Sequence, residues 1–177
     1  MFMNPNKILE IYDALPEKQR IMALYTGCVK ALATWESYIE GKNIVYHDAI
    51  VGIKHEVENT VPREALKLVK KNILEVGLEQ AANLAEDIKH RYAEPICALQ
   101  DDDLEFPYVI EYAYYSIYNL FSLIYDPIFT ITEHLIINQF INAYVGVYNE
   151  KSRENDSGIG RSYNRWWKET KIMWGYD

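Results

Sequence analysis

The chain has 177 residues, the size of one domain, which at that length buries roughly 70% of the surface exposed by the unfolded chain. Hydrophobic residues make up 49% and charged residues 25%, a composition that excludes disorder or low complexity for most of the chain. The net charge of −8 comes from the middle: residues 92–150 hold Glu94, Asp101, Asp102, Asp103, Glu105, Glu111, Asp126, Glu133 and Glu150 but no Lys or Arg. That acidic field repels nucleic acid and attracts basic partners, so DNA or RNA is not an expected ligand.

Residues 1–91 are nearly balanced, with 12 basic and 13 acidic side chains, and residues 151–177 reverse the sign with six against four. The 15 tyrosines imply either a core of hydrogen-bonded rings or an aromatic contact surface. Met1-Phe-Met-Asn-Pro-Asn has neither the basic region nor the apolar run of a signal peptide, so residence in the cytosol is expected. The segment nearest to a membrane span, 106–125, is interrupted by Glu111, Ser116, Asn119 and Ser122 and reads as a core helix; no membrane partner is expected. Cys28 and Cys97 fit no zinc or redox pattern and are expected to be reduced, partly buried thiols.

Helical spacing runs through every long segment. Asn4-Pro5 caps a short first helix through Leu15, and Pro16 starts a second that ends at Gly41. Ile21, Leu24, Cys28, Leu32, Trp35 and Ile39 share one face of it. Tyr46, Ile50, Ile53 and Val57 repeat the pattern and predict a third helix ending near Asn59. Thr60 and Pro62 signal another start. Ala65, Leu68, Val69, Ile73 and Val76 form its stripe, continued by Leu84, Ile88 and Tyr92 toward Pro95, with Gly77 dividing or bending the run. Its outward side, rich in Lys and Glu, is a solvated face. Pro107 opens a helix whose residues 112–125 have no charged side chain; apolar nearly all round, it belongs in the middle of a bundle. Asp126-Pro127 ends it, and 130–149 form a second sparsely charged helix. Residues 150–160 read as an exposed loop, and 161–175 as a last helix carrying Trp166, Trp167 and Trp174. The expected fold is all-α: a single-domain helical bundle of about seven to eight helices around a central apolar helical hairpin.

Few residues suggest chemistry. Asp87 and His90 have the carboxylate-x-x-His spacing of di-iron bundles, but those need two such pairs and two further carboxylates. His47-Asp48, His55-Glu56 and Glu133-His134 are adjacent pairs, which diverge on a helix. No nucleophile elbow or phosphate loop is present, and Gly158-Ile-Gly160 follows no strand. No catalytic residue, metal or cofactor is therefore expected.

The run Asp101-Asp102-Asp103-Leu104-Glu105 is more distinctive. Asp102 and Glu105 have the spacing of a helix-starting capping box, yet three successive aspartates exceed that task and leave charge for a basic partner. Tyr108, Tyr112 and Tyr115, with Glu111, follow on the next helix and border the same surface. Trp35 and Glu36 form a second, weaker patch. The basic, tryptophan-rich C-terminus reads as a docked helix whose cations can also lie against the acidic middle.

Leu15-Pro-Glu-Lys-Gln-Arg20 through Trp35-Glu-Ser-Tyr38 and Gly41, with a second helix following, resembles the opening of all-helical immunity proteins from bacterial polymorphic toxin systems. A related group of bacterial helical proteins is similar there too. Asp101-Asp-Asp ahead of Tyr112-Ala-Tyr-Tyr-Ser-Ile117 is similar to that family's later part, where an acidic turn precedes an aromatic helix. The resemblance spans residues 15–125 and brings no catalytic residues. It implies a cytosolic inhibitor that binds one cognate toxin. The acidic charge adds the expectation of a basic toxin, a nuclease being the foremost class, held through Asp101, Asp102, Asp103, Glu105, Tyr108, Glu111, Tyr112 and Tyr115. No oligomeric state is implied. The alternatives are a helical-bundle enzyme of unknown reaction and a structural or regulatory protein-binding module.

Overall fold

The computed structural model describes residues 3–48, 50–74, 79–126, 131–152 and 157–174. The fold is an all-α bundle with one two-stranded sheet among the described residues. Helix α1 (Pro5–Asp13) is capped by Asn4, whose Oδ1 accepts from the Lys7 amide at 2.9 Å. Pro16 opens α2 (Glu17–Ile39), and Gly41, at φ +69°, turns the chain away just past its end.

The buried stripe of α2 is Ala23, Leu24, Gly27, Cys28, Ala31 and Trp35, with Ile21, Leu32 and Ile39 only partly covered. Three of its members are therefore small, and they let another helix approach. A Cβ on Gly27 would fall onto the ring of Phe140, which belongs to α6 (Glu133–Ser152) and stacks on Trp166 at 5.9 Å. The same device recurs at Gly146, where a Cβ would collide with Val109.

Residues 44–57 do not form the expected third helix. They make an antiparallel hairpin of β1 (Val45–His47) and β2 (Lys54–Glu56), with Tyr46 opposite His55. The apparent helical stripe mixed two buried residues, Tyr46 and Val57, with two exposed ones, Ile50 and Ile53. The segment is rich in β-branched residues, Gly52 supplies φ +71°, and Asp48 Oδ1 accepts from the amides of Ile50 and Val51.

Helices α3 (Val61–Leu74) and α4 (Glu79–Gln100) follow; Gly77 lies outside the described residues. Helix α4 continues through Pro95 instead of stopping near it. Arg91 ties α4 to α3 and to the segment before it, donating to Glu58, Glu64 and Asp87 at 2.7–3.0 Å. Helix α5 (Tyr108–Tyr125) is covered by α2, α3, α4 and α6, and its near-continuous apolar surface is the physical reason it sits inside. Two of its buried polar side chains are satisfied internally, Asn119 donating to Gln139 at 2.8 Å and Ser116 to the Ala113 carbonyl at 2.9 Å, while the buried Tyr114 hydroxyl has no hydrogen-bond partner among the described residues.

Residues 150–152 end α6 and 157–160 begin α7 (Ser157–Thr170), so the loop expected over 150–160 is largely helical; residues 153–156 lie outside the described residues. A 3-10 turn, Lys171–Trp174, closes the described chain with Trp166 and Trp174 buried edge to face at 5.6 Å. The tyrosines answer the compositional question mainly as core, with Tyr12, Tyr46, Tyr92, Tyr114, Tyr118 and Tyr163 buried, but not uniformly as hydrogen-bonded rings: the Tyr92 and Tyr114 hydroxyls have no hydrogen-bond partner among the described residues. Both cysteines are free thiols. Neither is partly buried as expected: Cys28 is fully buried and Cys97 is exposed. None of the described helices is long and apolar enough to cross a membrane.

Candidate functional site

The acidic turn is built at the C-terminus of α4, not at the start of a helix. The amide of Asp101 donates to the Cys97 carbonyl at 2.9 Å, and those of Asp103 and Leu104 donate to the Ala98 carbonyl at 2.9 and 3.0 Å. This six-to-one closure leaves Asp102 at φ +61°, the left-handed position that glycine usually fills. The capping-box reading of Asp102 and Glu105 is thus overturned: α5 begins at Tyr108 with Pro107 as its cap residue, without a side-chain cap bond.

Two apolar side chains pin the turn. Leu104 is buried, and Phe106 packs edge to face on Trp35 at 5.4 Å. The carboxylates between and beside them are left outward: Asp101, Asp102 and Glu105 are exposed and Asp103 is half-buried. Among the described residues no Lys, Arg or His pairs with any of these four. The cations near other acids are engaged there. Lys89 holds Asp126 at 2.8 Å, and Lys30 and Arg165 hold Glu169 at 3.0 and 3.2 Å. In the described C-terminal residues, then, Arg165 meets a carboxylate of its own helix.

The tyrosine border is uneven. Tyr108 is 52% exposed and meets Tyr112 edge to face at 6.2 Å, while Tyr112 and Tyr115 are half-buried against the core. Burial pushes the Tyr115 hydroxyl above its ordinary pKa, with Glu111 and Cys97 adding to the rise, so it stays a neutral donor. Glu111 is half-buried in the first turn of α5.

Where the β-hairpin meets the end of α4, a cleft of about 130 Å³ opens, lined by Tyr46, Asp48, Ile50, His55, Glu94, Cys97, Ala98, Asp101 and Asp103. Tyr46 stacks on His55 at 5.3 Å, and His55 Nδ1 lies 3.2 Å from Glu94 Oε2, fastening the hairpin to α4. Burial, reinforced by Glu94 and Asp48, pushes the Tyr46 hydroxyl up to about 12. Sequence reading missed this cleft because it placed residues 46–57 on a helix. The Asp48 and Gly52 turn chemistry, four residues apart among β-branched neighbours, was the available signal.

The remaining candidates do not converge. Trp35 is fully buried, its Nε1 donating to the Asn59 carbonyl at 3.0 Å, and Glu36 pairs with Arg63, so they form no contact patch. Asp87 is held by Arg91, while His90 is exposed beside Glu86. Among the described residues no three His, Cys, Asp or Glu side chains gather as a metal-ligand set. What the surface offers chemically is a row of acceptors that suits charge-assisted hydrogen bonds from Lys or Arg. No family model, no curated protein and no solved structure matches the chain.

Proposed function

We propose that this chain is an immunity protein that binds a cognate, basic bacterial toxin domain in the cytoplasm and neutralises it by direct contact through the acidic turn. The observation that carries the reading is Asp101–Asp103: three carboxylates, two exposed and one half-buried, at the negative end of α4 and in no ion pair with a described cation. A helix C-terminus disfavours each nearby negative charge by roughly 0.3–1 kcal/mol, and adjacent aspartates repel one another. Folding alone gives no reason to keep them there. A basic partner does, because carboxylates held outward on a pinned turn steer association and meet Lys or Arg without rearrangement.

The border supports contact as well as steering. Tyr108 exposes half its surface next to Tyr112, and tyrosine gives contact area at low entropic cost. Glu105 and Glu111 extend the negative face along the start of α5, and Tyr115 lies near Cys97 at the edge of the cleft. A nuclease is the partner class best matched to such a face, since a protein that binds phosphate backbones carries clustered Lys and Arg.

The test is protection in cells. The reading frames flanking this chain's gene are each expressed from an inducible promoter with the wild-type chain, or with an Asp101→Lys, Asp102→Lys, Asp103→Lys variant present at equal soluble level; a frame that arrests growth is the candidate toxin, and the absence of any such frame counts against the reading. Growth restored by the wild type and lost with the variant supports the reading. Equal protection by both rejects this face.

A further inference from the structure

The hairpin tip is the other anomaly of the surface. Ile50 is 94% exposed, Val51 63% and Ile53 52%, a contiguous apolar loop presented to solvent. Scattered exposed apolar residues are ordinary, but three at one tip form a patch of the kind that marks an interaction site. The tip is also held in shape. Asp48 Oδ1 accepts from the Ile50 and Val51 amides at 2.8 and 2.9 Å, and the Gly52 amide donates to the Asp48 carbonyl at 2.8 Å. At its base, the Tyr46–His55 stack and the His55–Glu94 contact join the hairpin to the same helix end that carries the acidic turn.

From this juxtaposition we infer that the Ile50–Ile53 tip is a second docking element, a preformed apolar wedge that enters an apolar pocket rimmed by Lys or Arg on the same basic partner. The inference rests on the inhibitor reading above. Charge complementarity selects that occupant. Asp48, Glu94, Asp101 and Asp103 line the cleft beside the wedge and outnumber Lys54, the exposed cation that follows Ile53, and His55, which contacts Glu94, so the patch is apolar at its centre and net negative at its rim. An anionic lipid surface would be repelled by that rim, and a second copy of the chain would bring carboxylates against carboxylates. A protein with a basic rim around an apolar pocket meets neither penalty. The ordered turn reduces the conformational entropy lost on docking.

The experiment uses the full chain and, as probe, an inactive variant of the growth-arresting domain that the flanking reading frames yield in the test above; if none does, the inference falls with the reading it rests on. Affinity is measured for the wild type, for Ile50→Ser with Val51→Ser, and for the triple lysine reversal of the acidic turn. Hydrogen exchange is followed on the wild-type complex. The expected result is a loss on the order of a hundredfold for the serine pair, with unchanged circular dichroism and with amides 50–55 protected in the complex. If the serine pair binds like the wild type and the tip stays unprotected, while the lysine reversal abolishes binding, the wedge is wrong and the inhibitor reading stands. If the wild type itself does not bind the domain, both fall. If sedimentation shows a dimer of the free chain that the serine pair dissolves, the tip is a self-interface and the inference is overturned.

Discussion

Replacing Asp102 should stabilise the protein. Its φ of +61° puts a side chain where an L-residue is disfavoured by roughly 1–2 kcal/mol, less for Asp than for most. Its carboxylate adds roughly 0.3–1 kcal/mol of unfavourable interaction with the C-terminus of α4. Asp102→Gly relieves both, offset by roughly 0.5–1 kcal/mol for the greater freedom of glycine in the unfolded chain. The net expectation is about 1 kcal/mol of added stability, equivalent to about 2–4 °C in Tm for a chain of this size. Asp102→Asn, which keeps the backbone preference and removes only the charge, should gain roughly 0.3–1 kcal/mol. Urea titration followed by tryptophan fluorescence, with thermal melts by circular dichroism, would measure both. Toxin affinity should fall in both variants as stability rises. A loss of stability in either would show that the carboxylate supports the fold, and the argument that it is kept for a partner would fail.

Two further outcomes follow from the packing and the charges. Gly27→Ala should lower stability by about 1–2 kcal/mol: a methyl group driven into several atoms of the buried Phe140 ring lies at the upper end of overpacking costs, roughly 2–3 kcal/mol, partly offset by about 1 kcal/mol of better helix propensity. Adding Phe140→Leu should recover part of that loss, and a neutral Gly27→Ala would contradict the close approach of α2 and α6. Burial alone would raise the pKa of Glu169, but hydrogen bonds from Tyr144, Lys30 and Arg165 outweigh it and pull it down to about 2. A carboxylate lowered on folding contributes stability above its unfolded value, near 4.5, that is lost as pH falls toward 2. Glu169→Gln should therefore flatten stability against pH across that window, and an unchanged slope would contradict the network.

The all-α architecture was legible because helix ends and buried faces are local properties. Asn4, Pro16, Gly41 and Pro107 mark boundaries where they were expected, and the uncharged run 112–125 does lie inside the bundle. What failed depended on tertiary context. Tyr46, Ile50, Ile53 and Val57 recur at helical spacing, yet only the first and last face the core; spacing cannot tell an exposed wedge from a buried stripe. The carboxylates of the turn were read as starting a helix, when the chain instead closes α4 through the Ala98 carbonyl and leaves Asp102 left-handed. Both signals were short and satisfied two geometries. The cleft was illegible because it joins Tyr46 and His55 to Glu94 and Cys97, residues separated by some forty positions in sequence.

The most direct test of the acidic turn as a binding face is titration calorimetry of the inactive toxin domain with the wild-type chain and with the Asp101→Lys, Asp102→Lys, Asp103→Lys variant, at low and physiological salt. Close charge pairs at interfaces show coupling on the order of 1.5–7 kcal/mol, so reversal at three positions should weaken binding by at least about a thousandfold. The wild type should lose affinity as salt rises and the variant should not. Equal affinities, or a wild-type affinity indifferent to salt, would contradict the account.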